Sequence, residues 1–378
     1  MASNVSVEPQ KMLYRMLGNT GLQVSVLSFG FWATFGAKED LCDQDGIDAA
    51  KKIMTLARKG GVNLFDNAET YGNPQGAAET IMGEALSQLR SEDPSLWRRS
   101  DILVTTKIFW GGGGVNEKGL SKKHIMEGMR SSLKRLQMDY VDLVFCHRPD
   151  PYTPTATVVR AMSSLVRGGQ ATAWGTSEWS AQQLTEAFYI AKMEGHEPPQ
   201  FEQPQYNMFH RERFEKEYFP MFQAPYNFGT TTWSPLKSGL ITGKYNGVTV
   251  ADDGSLENIP GGSRMDAKGY KWLQARLKSF IADGSIEKVK RLSEYAKSTF
   301  QCTVSQLAIA WTVKNKNVTT VLLGATKVHQ LEENLGALKI ALQLTDEHMK
   351  AIDEILGNKP DGWGGPGGVG PRALETLP

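Results

Sequence analysis

The stretch YVDLVFCHRPD, residues 140–150, combines a run of apolar residues with a histidine and a proline. Its apolar residues barely alternate with polar ones, which is typical of a strand whose two faces are both covered, as in a parallel sheet. His147 at the end of this run has two interpretations. It is either a catalytic group carried at the C-terminal end of a strand or a polar residue that ends the strand.

Similar apolar runs alternate with segments of helical spacing along the chain. Eight strands are predicted, at residues 26–30, 62–66, 102–108, 141–147, 172–177, 201–207, 229–235 and 318–324. Helices are predicted at residues 47–59, 79–89, 121–136, 155–166, 180–193 and 305–314. Eight β–α alternations with buried strands indicate the α/β class and favour a (β/α)8 TIM barrel over an open doubly wound sheet.

Three segments lie outside this repeat. An N-terminal β-hairpin is predicted in LYRMLGNTGLQVS, with its turn between Gly18 and Gly21. A polar, Gly-rich segment followed by a helix from Tyr270 forms an insertion at about 245–283, before the eighth strand. A length of 378 residues admits one large domain or two ordinary ones. We expect a single barrel domain over 12–357, a short N-terminal extension over 1–11 and a Gly/Pro-rich C-terminal tail over 358–378.

The composition excludes several classes of partner. The formal net charge is +1 and no run of five like charges occurs, so a nucleic acid or anionic lipid partner is not expected. Cys42, Cys146 and Cys302 are far apart in the chain, which argues against a disulfide framework and against a thiolate metal site. No stretch reaches about 18 consecutive apolar residues. We therefore expect a cytoplasmic protein without a metal.

Polar residues end the second, third and fourth predicted strands, where barrel enzymes carry their chemistry. They are Asp66, Lys107 and His147, and Tyr71 follows in DNAETYG. Reduction of a carbonyl needs a hydride at carbon and a proton at oxygen. Tyr71 could donate the proton, Lys107 could lower the pKa of that phenol, and Asp66 could hold Lys107 in place. His147 could then donate a hydrogen bond to the carbonyl oxygen.

Each of these residues also has a structural interpretation. Asp66 and Tyr71 alone are more often a loop cap and a half-buried aromatic residue, and His147 alone is more often a hydrogen-bonded residue at a strand end. Lys107 is harder to explain in this way, because a lysine within an apolar strand needs a buried partner for its charge. The joint placement of all four favours the catalytic interpretation.

The sequence resembles the aldo-keto reductase superfamily, in the branch of the voltage-gated potassium-channel β subunits and their plant and microbial relatives. The resemblance covers roughly 12–340 and depends on NLFDNAETYG, RRSDILVTTKIFWGG, RPDPYTP, WGTSEWS, EQPQYNMFHRE, TTWSPLKSGLITGKY and VLLGATKVHQLEENLGA. It implies a (β/α)8 barrel that reduces aldehydes or ketones with NADPH. It also implies a catalytic tetrad of Asp66, Tyr71, Lys107 and His147, with Tyr71 as the proton donor.

The resemblance implies further site residues. The positions that match cofactor contacts are Trp32, Asp66, Ser177, Gln203, Trp233, Ser234, Pro235, Leu236, Ser238, Lys244, Arg264, Gly324, Thr326, Gln330, Glu333 and Asn334. The expected substrate pocket consists of Trp32, Tyr71, Phe109, Trp110, His147 and Tyr206. The candidate partners of a 2′-phosphate are Lys244, Arg264 and Lys327, which favours NADPH over NADH, although each could instead be a solvated surface charge. At position 178 the chain has Glu where the animal channel subunits have Arg.

Two functions remain open at this point. The first is a working NADPH-dependent reductase. His147 favours it, because the corresponding residue of the animal channel subunits resembles an Asn. The second is a cofactor-binding regulatory β subunit of a potassium channel, with slow or incidental reductase activity. Only about a dozen residues precede the first hairpin strand, which argues against pore block by an N-terminal peptide. A homotetramer is expected from the resemblance alone, and a barrel that has lost its chemistry is disfavoured by the complete tetrad.

Overall fold

The computed structural model describes residues 11–32, 43–261 and 271–362. The chain divides into two compact units. The first comprises the described residues of Met1–Gln205, Glu217–Trp233 and Lys316–Leu335. The second comprises the described residues of Tyr206–Lys216, Ser234–Asn315 and Gly336–Pro378. The single domain expected over 12–357 stays a prediction.

The strands of the barrel coincide with the eight that the sequence predicts. The strands in the described residues are β1 Tyr14–Met16, β2 Gln23–Ser25, β3 Leu27–Gly30, β4 Leu64–Asp66, β5 Leu103–Ile108, β6 Val141–Cys146, β7 Ala171–Thr176, β8 Phe201–Glu202, β9 Gly229–Thr232, β10 Thr249–Val250, β11 Leu256–Glu257 and β12 Thr320–Leu323. The closed parallel barrel has the order β12-β3-β4-β5-β6-β7-β8-β9, which confirms the predicted fold class. β8 is shorter than predicted because Pro204 has no N–H for the ladder.

The register of the barrel brings the polar strand ends together. Asp66 of β4 pairs with Thr105 of β5, and Lys107 of β5 pairs with Phe145 of β6. Every residue of β5 and β6 is buried, as expected for strands covered on both faces. The C-terminal ends of β4, β5 and β6 therefore lie side by side at one end of the barrel.

The predicted N-terminal hairpin is present, with β1 and β2 paired antiparallel. Leu17 and Val24 belong to the same buried apolar cluster as Leu64 and Leu103. Because Leu64 and Leu103 are the first residues of their strands, the hairpin covers the N-terminal end of the barrel. The side chains that follow the strands lie at the opposite, C-terminal end of the barrel.

Six helices begin close to the predicted positions, at Gln44, Ala77, Lys122, Thr155, Ala181 and Val304. The helices in the described residues are α1 Gln44–Lys59, α2 Ala77–Glu92, α3 Lys122–Leu136, α4 Thr155–Arg167, α5 Ala181–Glu194, α6 Lys271–Ala282, α7 Ser285–Tyr295, α8 Val304–Lys314, α9 Val328–Leu335, α10 Ala337–Gln343 and α11 Asp346–Leu356. The predicted capping box is present at α5, where Ser180 and Gln183 each accept from the backbone N–H of the other residue. Of these helices, α1–α5 and α9 belong to the first unit.

The second unit has its own apolar core. The insertion forms a short hairpin of β10 and β11 and the helix α6, which begins at Lys271, next to the predicted start. Leu273, Leu277 and Phe280 of α6 pack with Leu240 and Tyr245 in one buried cluster. No helix in the described ranges is long and apolar enough to cross a membrane.

Candidate active site

The four residues of the predicted tetrad lie in the first unit. Asp66 is the last residue of β4, Lys107 lies one residue before the end of β5, and His147 follows β6 directly. Tyr71 lies in the loop between β4 and α2. All four side chains are buried, and Lys107 has no exposed surface. The contacts below connect them into one cluster.

A buried ion pair forms the base of this cluster. Lys107 Nζ donates to Asp66 Oδ2 at 2.6 Å and to the carbonyl oxygen of Asn67 at 2.7 Å. The other oxygen of Asp66 accepts from Thr105 Oγ1 at 2.8 Å and from Gln203 Nε2 at 3.1 Å. Burial lowers the pKa of Lys107, and the charge of Asp66 opposes that effect. These hydrogen bonds fix the position of the ammonium group.

Tyr71 lies against this ion pair. Lys107 Nζ is 4.7 Å from the centroid of the Tyr71 ring. Burial, followed by the charge of Asp66, raises the pKa of Tyr71 well above its usual value. This direction is opposite to the prediction that Lys107 lowers the pKa of the phenol, because desolvation of the phenol and the negative charge of Asp66 both raise it. The phenol is therefore protonated, as a proton donor must be.

His147 lies beside Tyr71, with ring centroids 5.6 Å apart and the planes at 73°. Burial, followed by the charges of Lys107 and Arg148, lowers the pKa of His147 well below its usual value. The ring is therefore neutral at physiological pH. Its Nδ1 is buried and has no hydrogen-bond partner in the part of the chain that the structure describes. A neutral imidazole of this kind can donate one hydrogen bond to a carbonyl oxygen.

Two aromatic residues predicted for the substrate pocket lie on the loop after β5. The ring of Trp110 is 4.7 Å from that of His147, and Phe109 packs edge-on against Trp110 at 5.1 Å. The loop is anchored by the buried Glu69, which accepts from the Phe109 N–H at 2.6 Å and contacts His124 Nε2 at 3.1 Å. The sequence reasoning missed Glu69, although it is part of the DNAETYG motif.

Arg148 is a second residue that the sequence reasoning missed. Its guanidinium lies 5.1 Å from the centroid of the Trp110 ring and donates to the backbone oxygen of His147. It also donates to Ser177 Oγ at 3.2 Å. Its position in the sequence, directly after His147, could have indicated that it lies at the site. Arg148 therefore adds a positive charge next to the tetrad.

The predicted nicotinamide contacts Ser177 and Gln203 are linked to the tetrad. Ser177 Oγ donates to the backbone oxygen of Gln203 at 2.8 Å, and the Gln203 side chain donates to Asp66. Glu178 has a left-handed backbone conformation, with φ of 61°. It accepts from Trp233 Nε1 at 2.9 Å, which orients the indole.

The other predicted residues of the first unit lie near the ends of β3 and β12. Trp32 follows β3 by two residues and is 44% exposed. Gly324 follows β12 directly, and Thr326 donates its backbone N–H to Gln330 Oε1 at 3.0 Å. The remaining predicted contacts, Glu333 and Asn334, lie on α9.

The remaining candidate cofactor residues belong to the second unit. Ser234, Lys237, Ser238 and Gly239 all have positive φ, at 57°, 47°, 57° and 91°. Pro235 and Leu236 lie within this turn, and Lys244 Nζ lies against Gly239, 3.4 Å from the position of a Cβ there. Arg264 lies outside the described residues.

Tyr206, predicted for the substrate pocket, also belongs to the second unit. Its ring is stacked on Phe214 at 4.1 Å, and its hydroxyl donates to Glu215 at 2.7 Å. The side chain is buried, with 1% of its surface exposed.

Comparison with known proteins shows the family of this chain. The model of the "Aldo/keto reductase family" matches residues 26–357. A "Probable voltage-gated potassium channel subunit beta" of Oryza sativa subsp. japonica is 47% identical over 349 residues, which are 92% of this chain and 98% of that protein. A protein of the same name from Arabidopsis thaliana has the same identity and coverage. From the family match over the barrel and from these relatives we conclude that the chain belongs to the aldo/keto reductase family, in the branch of the potassium-channel β subunits.

Proposed function

We propose that this protein is an NADPH-dependent reductase that converts aldehydes or ketones to alcohols. Members of its family are oxidoreductases that generally use NAD(P)H. One observation carries the proposal: a protonated Tyr71 and a neutral His147 lie side by side against the buried pair of Lys107 and Asp66. This arrangement has a proton to donate and a cation ready to stabilise the resulting phenolate.

The reduced nicotinamide, when bound, supplies the hydride that goes to the carbonyl carbon. Tyr71 transfers its phenolic proton to the carbonyl oxygen, so that the alcohol leaves a phenolate on Tyr71. Two of the three N–H groups of Lys107 are used by Asp66 and Asn67 in the described residues, and the third remains for that phenolate. His147 donates a hydrogen bond to the carbonyl oxygen, which orients the substrate and stabilises developing negative charge.

Each unit, taken by itself, has residues that would fit part of a dinucleotide. In the second unit, Lys244 Nζ lies beside Gly239, at the left-handed turn from Lys237 to Gly239, and would supply a positive charge for a phosphate. In the first unit, Ser177 and Gln203 are fixed beside Asp66, where they would hold the carboxamide. Gly324 has open space where a side chain would lie.

The preference for NADPH over NADH depends on cations for the 2′-phosphate. Lys244, Arg264 and Lys327 are the proposed candidates. Lys244→Met should therefore raise KM for NADPH by about tenfold and change KM for NADH much less, since a charge-assisted hydrogen bond contributes about 1.5–3 kcal/mol. Steady-state kinetics with both cofactors test this. An equal rise in both KM values would contradict a role at the 2′-phosphate.

The catalytic assignment is tested by Tyr71→Phe. We expect kcat for an activated aromatic aldehyde to fall by about 10²–10⁴-fold, the range of general acid catalysis, while NADPH binding measured by fluorescence is retained. Tyr140→Phe is the matched control, because Tyr140 precedes β6 at the end opposite His147 and stacks its ring on Arg99. Retained turnover in Tyr71→Phe would exclude Tyr71 as the proton donor.

A second function is favoured by the relatives, which are named as potassium channel β subunits and are 47% identical to this chain. We propose as an alternative that the protein is a cytoplasmic, tetrameric partner of a channel α subunit, with slow or incidental reductase activity. Light scattering of the purified protein tests the tetramer, and co-purification with the cytoplasmic domain of a plant potassium channel tests the partner. If neither the tetramer nor the channel partner is observed, the reductase is the function that remains.

A further inference from the structure

Arg148 differs in its partners from several other arginines of the first unit that lie next to carboxylates. Arg99, Arg135 and Arg160 each form an ion pair with a carboxylate of the same unit. The hydrogen-bond partners of Arg148 within the described residues are neutral, a backbone oxygen and Ser177 Oγ. Its side chain is partly buried and lies over the face of Trp110. A partly buried charge without an opposite charge is unfavourable unless a ligand supplies one.

The position of Arg148 connects this charge to the reacting groups. Trp110, under the guanidinium, is 4.7 Å from His147, and His147 is 5.6 Å from Tyr71. Burial is the main cause of the low pKa of His147 and of Lys107, and Arg148 lowers the pKa of both further. The field of Arg148 therefore extends over the tetrad.

We infer that Arg148 is a specificity-determining residue that selects carbonyl substrates carrying a carboxylate or phosphate group. This inference rests on the proposed reductase function. Nη1 of Arg148 is used by the two neutral partners, while Nε and Nη2 have no hydrogen bond to the described residues. They can form two hydrogen bonds to a planar or tetrahedral oxyanion. The exposed part of the Trp110 side chain would pack against an aromatic or other planar part of the same substrate.

The test compares substrates of similar size and different charge. They are 4-carboxybenzaldehyde, which is anionic, its methyl ester, which is neutral, and 4-(trimethylammonio)benzaldehyde, which is cationic. The quantity measured is the ratio of kcat/KM for the anion to kcat/KM for the ester. Comparing this ratio between variants cancels the different intrinsic reactivities of the aldehydes. The variants are Arg148→Gln, Arg148→Lys and Arg148→Glu, with Arg130→Gln on the exposed face of α3 as the control.

We expect the ratio to fall by about tenfold or more in Arg148→Gln. It should fall less in Arg148→Lys, which keeps the charge but cannot form two parallel hydrogen bonds to an oxyanion. In Arg148→Glu the preference should move to the cationic aldehyde. A role limited to holding Ser177 would change all three substrates equally and leave the ratio constant, which would overturn the inference. Arg130→Gln should keep the ratio of the wild-type protein.

The anion that Arg148 binds could instead be a phosphate group of the dinucleotide. Titration of each variant with NADPH, followed by nucleotide fluorescence, separates the two sources. Weaker NADPH binding with an unchanged substrate ratio would assign Arg148 to the cofactor phosphates and overturn the inference. Turnover of the aldehydes with the same ratio in wild type, Arg148→Gln and Arg148→Glu would leave the reductase proposal intact and refute only the role of Arg148. No turnover of any aldehyde would refute both.

Discussion

Asp66→Asn should destabilise the protein, because it leaves the ammonium of Lys107 buried without an opposite charge. Lys107 is completely buried and its Nζ lies 2.6 Å from the carboxylate that the substitution removes. Breaking such a pair by removing one partner costs about 3–5 kcal/mol. Loss of the Lys107 proton limits the penalty to about 5 kcal/mol at pH 7, since each pH unit below a free lysine pKa of about 10.4 costs about 1.4 kcal/mol.

The same reasoning fixes the sign of the pH dependence. Burial already lowers the pKa of Lys107 in the folded protein, and loss of Asp66 lowers it further. Between the folded and unfolded pKa values the unfolded chain binds more protons, so stability rises with pH over that interval. The interval is wider in Asp66→Asn. The penalty relative to wild type should therefore shrink to about 2 kcal/mol or less at pH 9.

Urea unfolding followed by circular dichroism at pH 7 and pH 9 measures this penalty. Asp139→Asn, at an exposed aspartate before β6, is the matched control and should have little effect. The double variant Asp66→Asn/Lys107→Met removes the uncompensated ammonium and should recover most of the lost stability. A penalty under about 1 kcal/mol at pH 7, or one that does not change with pH, would refute the buried ion pair.

Two further predictions concern other buried groups. His147→Asn should lower kcat for an aromatic aldehyde by at least about tenfold, because the polarising hydrogen bond is misplaced. Since the pKa of His147 is lowered well below its usual value, wild-type kcat should show no step from this residue between about pH 6 and 8. An equally active variant would make His147 a strand-end residue. Burial raises the pKa of Glu202 to about 8 in the folded protein. Between about pH 4.5 and pH 8 the folded protein therefore keeps a proton on Glu202 that the unfolded chain has lost, so the free energy of unfolding should fall as the pH rises through this interval. Glu202→Gln should remove the decrease in the urea midpoint that Glu202 causes between pH 5 and 8. An unchanged pH profile of the midpoint would contradict this prediction.

The barrel could be predicted because its strands are apolar on both faces and are separated by segments of helical spacing. This pattern is local, and all eight strands lie where it places them. The position of the tetrad followed from the same pattern. The chemistry of barrels lies at strand ends, and three of the four residues end neighbouring strands. The direction of the Tyr71 pKa did not follow, because it depends on burial and on the distance from Asp66 to the ring.

Sequence by itself thus determined the order of the strands, the hairpin, the capped helices and the residues that end the strands, since these depend on neighbours along the chain. Only the tertiary structure decided which charges are compensated. Glu69 and Phe109 are 40 residues apart, and so are the partners Lys107 and Asn67. Within the described ranges, Arg148 has no carboxylate partner while Arg99 has one, although the sequence around them does not distinguish the two. Electrostatic environment is set by side chains that come together only when the barrel closes, because Coulomb energies depend on distance and burial rather than on sequence separation.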